Sequence, residues 1–135
     1  MSLADHIRTE SARLAALCTA CGECVRACPM VPYAPGVAES GPEAVAAGLV
    51  DVLRDGPGTE AARAWIAACT RSGVCTPACP ERIDPAFMLR LATWRAKGAL
   101  GAAPLIPVKE DPQLPARVKA FARLTMTEEE QRAWL

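Results

Sequence analysis

Residues 18–29 read CTACGECVRACP and residues 69–80 read CTRSGVCTPACP, one phrase written twice at a constant offset of 51. Seven of the twelve positions are identical. Cys18, Cys21, Cys24, Cys28 and Pro29 of the first copy answer to Cys69, Ser72, Cys75, Cys79 and Pro80 of the second. A single CxxC says little about chemistry. This longer run, closed each time by Cys-Pro and repeated, is specific, because it sets three thiols at three-residue intervals on one turn and a fourth beyond them.

Such a turn suits a compact cube of iron and sulfide, in which every iron needs one thiolate from outside. The chain wraps the cube, so successive cysteines reach neighbouring corners. Gly22 and Gly73 let the backbone curl closely where a side chain would clash. The fourth cysteine of such a run faces away and serves the other cluster. Crossing the last ligands gives one site of Cys18, Cys21, Cys24 and Cys79, expected to hold 4Fe-4S, and a second of Cys28, Cys69 and Cys75. Ser72 stands where the second loop would supply its missing thiolate. A corner without a thiolate binds iron weakly, so 3Fe-4S is expected there; a second 4Fe-4S with a labile or Ser72-bound iron is the alternative. Ser72 also reads as an ordinary turn residue whose hydroxyl bonds the backbone, which is compatible with the 3Fe form. Zinc takes paired CxxC thiolates too. Seven cysteines with the one histidine at position 6 would leave a zinc site short of ligands, however, and zinc gives no reason for the Cys-Pro endings.

Outward from the loops, the chain of 135 residues has room for one compact domain with extensions. Lys+Arg 15 against Asp+Glu 15 leaves no field to recruit nucleic acid or an anionic membrane, so a partner is expected to be found by shape and apolar contact. An odd count of seven cysteines, all between positions 18 and 79, disfavours a secreted disulfide framework. Asp5, His6, Arg8, Glu10 and Arg13 interrupt any signal-peptide core, and no stretch gives the roughly eighteen apolar residues of a membrane helix. A reducing cytoplasm is the expected setting.

No run alternates apolar and polar residues as a half-buried strand would, and the expectation is all-α. Ser2 caps a helix from Leu3 to Leu17 with Leu3, Ile7, Leu14 and Leu17 on one side. Pro42 opens a second, with Val45, Leu49 and Val52 on one face, stopped by Gly56 and Pro57. Thr59 caps a third that carries Ala61, Trp65 and Ala68 into Cys69. Asp84 and Pro85 open a fourth, with Phe87, Met88, Leu91 and Trp94 as its stripe and Gly98 closing it. Beyond it, Pro104, Pro107, Pro112 and Pro115 mark an extended connector. A short amphipathic segment with Val118, Phe121 and Ala122 follows, then a Thr127–Glu130 capping box ahead of Trp134. The expected division is an N-terminal helix at 1–17, a two-loop domain at 18–98 and a Pro-rich tail with short helices at 99–135, which docks on a partner or on its own domain.

Residues 14 to 98 resemble the helical two-cluster ferredoxin domain found in the C-type subunit of heterodisulfide reductase and in the iron–sulfur subunits of succinate dehydrogenase, fumarate reductase and glycolate oxidase. The resemblance rests on CTACGECVRACP, the gap of about forty residues, and CTRSGVCTPACPERIDP leading into a helix. Small βαββαβ ferredoxins place their loops closer together. The second loop, without a thiolate at 72, looks most like the succinate dehydrogenase arrangement, in which that site holds 3Fe-4S. The chain lacks the 2Fe-2S domain of the succinate dehydrogenase protein and the CCG domain of its glycolate oxidase counterparts, and its size is similar to the stand-alone heterodisulfide reductase type. The resemblance implies relay of single electrons within a redox complex whose separate subunits, a flavin dehydrogenase or a CCG-domain protein, do the substrate chemistry; no catalytic residue is expected on this chain. Two other readings are an open iron at Ser72 that binds substrate or quinone, and a zinc-stabilised interaction protein. The resemblance also allows attachment at a membrane periphery through partner subunits.

Overall fold

Ser2 opens α1 (Leu3–Leu17): its hydroxyl accepts from the Asp5 amide at 3.1 Å, and the Asp5 carboxylate accepts from the Ser2 amide at 3.1 Å. That reciprocal box satisfies two otherwise orphaned donors. The computed structural model describes residues 1–97 and 108–134, with backbone alone at Val108. Seven further helices follow, α2 (Glu23–Arg26), α3 (Val37–Ser40), α4 (Pro42–Leu53), α5 (Glu60–Ala68), α6 (Cys75–Ala78), α7 (Pro85–Ala96) and α8 (Leu114–Thr125), before the last, α9 (Glu128–Trp134). Single 3₁₀ turns lie at Val31–Tyr33 and Val108–Glu110. Among the described residues there is no strand, so the protein is all-α. Gly98, Pro104 and Pro107 lie outside the described residues, while Pro112 and Pro115 lie just before and within the first turn of α8.

The middle of the structure is α4. It buries Val45, Ala46, Leu49, Val52 and Leu53 and packs against α1, α2, α3, α5 and α7. The approach of α5 depends on Gly48, because a Cβ there would stand 2.5 Å from the Ala62 Cβ and 2.8 Å from the Thr59 hydroxyl. That hydroxyl caps α5 by accepting from the Ala62 amide at 3.1 Å. Trp65 is fully enclosed, and Met88, Leu89 and Leu91 of α7 complete the core. Asp84 caps α7 through the Phe87 amide at 3.1 Å.

Three stripes differ from expectation. On α1, which packs against α4 and α7, the buried residues are Ile7, Ser11, Leu14 and Ala15, whereas Leu3 is 71% and Leu17 48% exposed. On α7 the buried set includes Leu89, while Phe87 and Trp94 pack against the core from its edge. On α8 it is the small Ala120 and Ala122 that are buried, and Val118, Phe121 and Leu124 stay about half exposed. The helix nevertheless lies on its own domain. Arg117 donates to the Ala67 carbonyl at 2.6 Å, and Arg123 donates to the Tyr33 hydroxyl at 2.7 Å while sitting over its ring. The Thr127–Glu130 box opens α9 as its sequence indicates. No described helix is long and apolar enough to cross a membrane.

Candidate metal centre

The two cysteine loops share one backbone. Ala20 and Arg71, 51 residues apart, are both left-handed with φ 55° and 62°, and so are Gly22 and Gly73 at 81° and 76°. L-residues avoid that region, so the strain at Ala20 and Arg71 has a local return: each turns its amide onto the preceding cysteine. The Ala20 amide lies 3.4 Å from Cys18 Sγ, and the Arg71 amide lies 3.4 Å from Cys69 Sγ. The next turn repeats as well, with Val25 and Thr76 amides bonded to the Gly22 and Gly73 carbonyls. These turns run on into the short helices α2 and α6, which pack against each other.

That contact brings the loops face to face. Cys18, Cys21 and Cys24 line a small enclosed cavity together with Cys79 of the other loop, closed by Ala46, Leu49, Ile83 and Met88. Burial first, then the neighbouring Cys18, Cys75 and Cys21, pushes the Cys24 thiol up to about 12. Cys18 is raised by burial, with Cys79, Cys21 and the Glu81 carboxylate acting in the same direction against the Ala20 amide. On the other side, burial and then Cys28 and Cys69 push Cys75 up to about 11. Cys69 is raised by burial and by Cys28, opposed by the Arg71 amide and by the charges of Arg71 and Arg117. Cys28 thus neighbours Cys69 and Cys75, while Cys79 neighbours Cys18. All seven cysteines are free thiols, and six are partly buried with Cys75 fully so.

The thiols are spread around a space. Among the described residues no three His, Cys, Asp or Glu side chains converge on a single-ion site. A mononuclear tetrahedral centre with metal–sulfur bonds near 2.3 Å would draw its sulfurs to within about 4 Å of one another. A cuboidal iron–sulfur core, ligated at separate corners, suits a wider ring of donors. Ser72 is exposed and makes no hydrogen bond among the described residues, so its hydroxyl does not brace the turn. Gly22 has a second reason to lack a side chain: a Cβ would stand 2.8 Å from the Pro42 backbone at the start of α4, whereas at Gly73 the space is open. The close approach at Gly22 is therefore to a helix.

Three residues outside the cysteine pattern shape the site. Arg26 donates to the Cys21 carbonyl at 2.9 Å and to Glu23 at 2.7 Å, and pairs with Glu43 of α4, fastening the first loop to the central helix. The second copy has Pro77 there, a difference visible when the repeats are aligned. Asp84 caps α7 and accepts from the Thr76 hydroxyl at 2.9 Å, which fastens the second loop instead. Arg117 reaches Cys69's surroundings from α8, a contact between residues far apart in sequence that no local pattern announces. A groove of about 460 Å³ runs along this side, lined by Cys69, Thr70 and Leu89, with Val118 and Phe121 of α8 and a rim of Arg71 and Arg90.

Residues 15–31 and 66–84 match the family model described as a 4Fe-4S binding domain, and the two matched stretches are the two cysteine loops. No curated protein and no solved structure matches the chain. The match supports an iron–sulfur domain that binds 4Fe-4S.

Proposed function

We propose that the chain is an electron-transfer subunit with two clusters: 4Fe-4S held by Cys18, Cys21, Cys24 and Cys79, and 3Fe-4S held by Cys28, Cys69 and Cys75, with Ser72 at the open corner. The observation that carries this reading is the cavity that Cys18, Cys21 and Cys24 share with Cys79 from the opposite loop. The groups, when bound, take up and release one electron at a time. The chain's own residues hold and tune them. Seven thiolates provide the bonds, the Ala20 and Arg71 amides bond to ligand sulfurs, and Leu49, Ile83 and Met88 keep water from the first site.

Charge sets an order between the sites. The Glu81 carboxylate beside Cys18 disfavours an added electron there, whereas the Arg71 and Arg117 guanidiniums near Cys69 favour one. A cluster held at the second site would therefore be the easier to reduce, and would accept electrons from one held at the first. The one histidine, His6, lies on α1, outside both cysteine loops. The substrate chemistry belongs to partner subunits, a flavin dehydrogenase or a CCG-domain protein, in the cytoplasm or at a membrane periphery.

The test is anaerobic purification with iron and sulfide counts and EPR of the oxidised protein. About seven irons and a 3Fe signal are expected. About eight irons without that signal would reverse the assignment at Ser72, and stoichiometric zinc would end the electron-transfer reading.

A further inference from the structure

Thr70 is half-buried, yet its hydroxyl oxygen is out of reach of water and has no hydrogen-bond partner; among the described residues the other such side-chain atom is Trp65 Nε1. Leaving a buried hydroxyl unpaired is costly, and native proteins rarely tolerate it without an enclosed partner. Thr70 directly follows Cys69, and the next residue, Arg71, already aims its amide at Cys69 Sγ. The corresponding residue of the first loop, Thr19, borders its own loop's cavity but is exposed, and its hydroxyl is not left buried without a partner. The same residue type thus occupies the same position of two near-identical turns, and only the second copy is dry.

We infer that the Thr70 hydroxyl donates a hydrogen bond to sulfur of the second iron–sulfur centre, at the Cys69 edge, and thereby raises that centre's reduction potential. The inference rests on the ligand assignment of the preceding subsection. A dry donor needs a partner that the protein itself encloses, and the sulfur-rich body expected beside Cys69 supplies acceptors there. Reduction adds negative charge to that body, so a donor aimed at it stabilises the reduced form more than the oxidised one. Thr19, being exposed, carries no such unmet demand for an enclosed partner. The effect adds to that of the nearby guanidiniums and widens the gap between the sites.

The experiment is a redox titration of the whole chain, followed by EPR, for the parent, T70V and T70S. In T70V the reduced-to-oxidised ratio of the second centre at fixed potential should fall by about threefold to tenfold, tenfold being about 59 mV for a one-electron couple. The first centre should not move, and T70S should restore the parent value. An unchanged second midpoint at full iron content overturns the inference, as does an equal shift of both centres. Should T70V fail to hold iron, the parent protein exchanged into heavy water is decisive. An exchangeable proton coupled to the second centre in addition to that of the Arg71 amide supports the bond, and finding the amide's alone overturns it. A parent chain that binds no iron at the second loop would instead sink the ligand assignment, which iron counting detects separately.

Discussion

At Ala20 and Arg71 the backbone bends left so that an amide can face a thiolate two positions back, and neither Cys21 nor Ser72, one residue on, shares that strain. Position 72 therefore accepts a cysteine without backbone cost. S72C should raise the iron count by one and remove the 3Fe EPR signal, which metal analysis and EPR check together. The glycines next in line are not equivalent. G73A meets only the penalty of its positive φ, about 1–2 kcal/mol. G22A adds a collision with Pro42 and should cost about 1–3 kcal/mol more, read as a lower thermal unfolding midpoint and faster bleaching of the visible absorption. The cysteine positions and the asymmetry at Ser72 are open to anyone reading the repeat. Arg26 and Thr70 are not, because their meaning lies in Glu43 and in a hydroxyl shut off from water, which depend on how distant segments pack.

Among the elements, α8 shows most clearly where periodicity stops being informative. Val118, Phe121 and Ala122 read as an apolar stripe, and the structure buries Ala122 with Ala120 while the larger two border the groove. Polar clamps decide the orientation: Asp111 takes hydrogen bonds from Arg117 at 2.5 Å and Lys97 at 3.3 Å, and Arg117 reaches on to Ala67. A helix whose anchors are ion pairs to other segments leaves little trace in its own sequence. By contrast α1, α4, α5 and α7 announce their starts through Ser2, Pro42, Thr59 and Asp84, since caps are local. Burial alone would raise Asp111, but the hydrogen bonds from Arg117, the Gln113 amide and Lys97 outweigh it and hold the carboxyl at about 2. A depressed carboxyl stabilises the fold fully above its ordinary value near 3.8 and loses that contribution as pH falls towards 2. At neutral pH the clamp is thus fully engaged. D111N should release α8 there, giving faster amide exchange across 114–125 with α4 and α5 unchanged. Within the core, G48A should drive α5 off α4 at a cost of about 1–3 kcal/mol, seen as a lower unfolding midpoint.

For the whole molecule, the contact between α2 and α6 has a consequence for how the protein is built. α2 ends two residues before Cys28 and α6 directly before Cys79, so on the proposed assignment filling either site draws both loops into place and prepares the other. Loading should be cooperative: native mass spectrometry during reconstitution with limiting iron and sulfide should show bare and doubly loaded chains, with singly loaded ones scarce. C79S should deplete both centres, although on the proposed assignment it removes a ligand from only one. A maturation machine that delivers its metal to this chain would then meet an all-or-none client, matured in one commitment and discarded whole when either half fails.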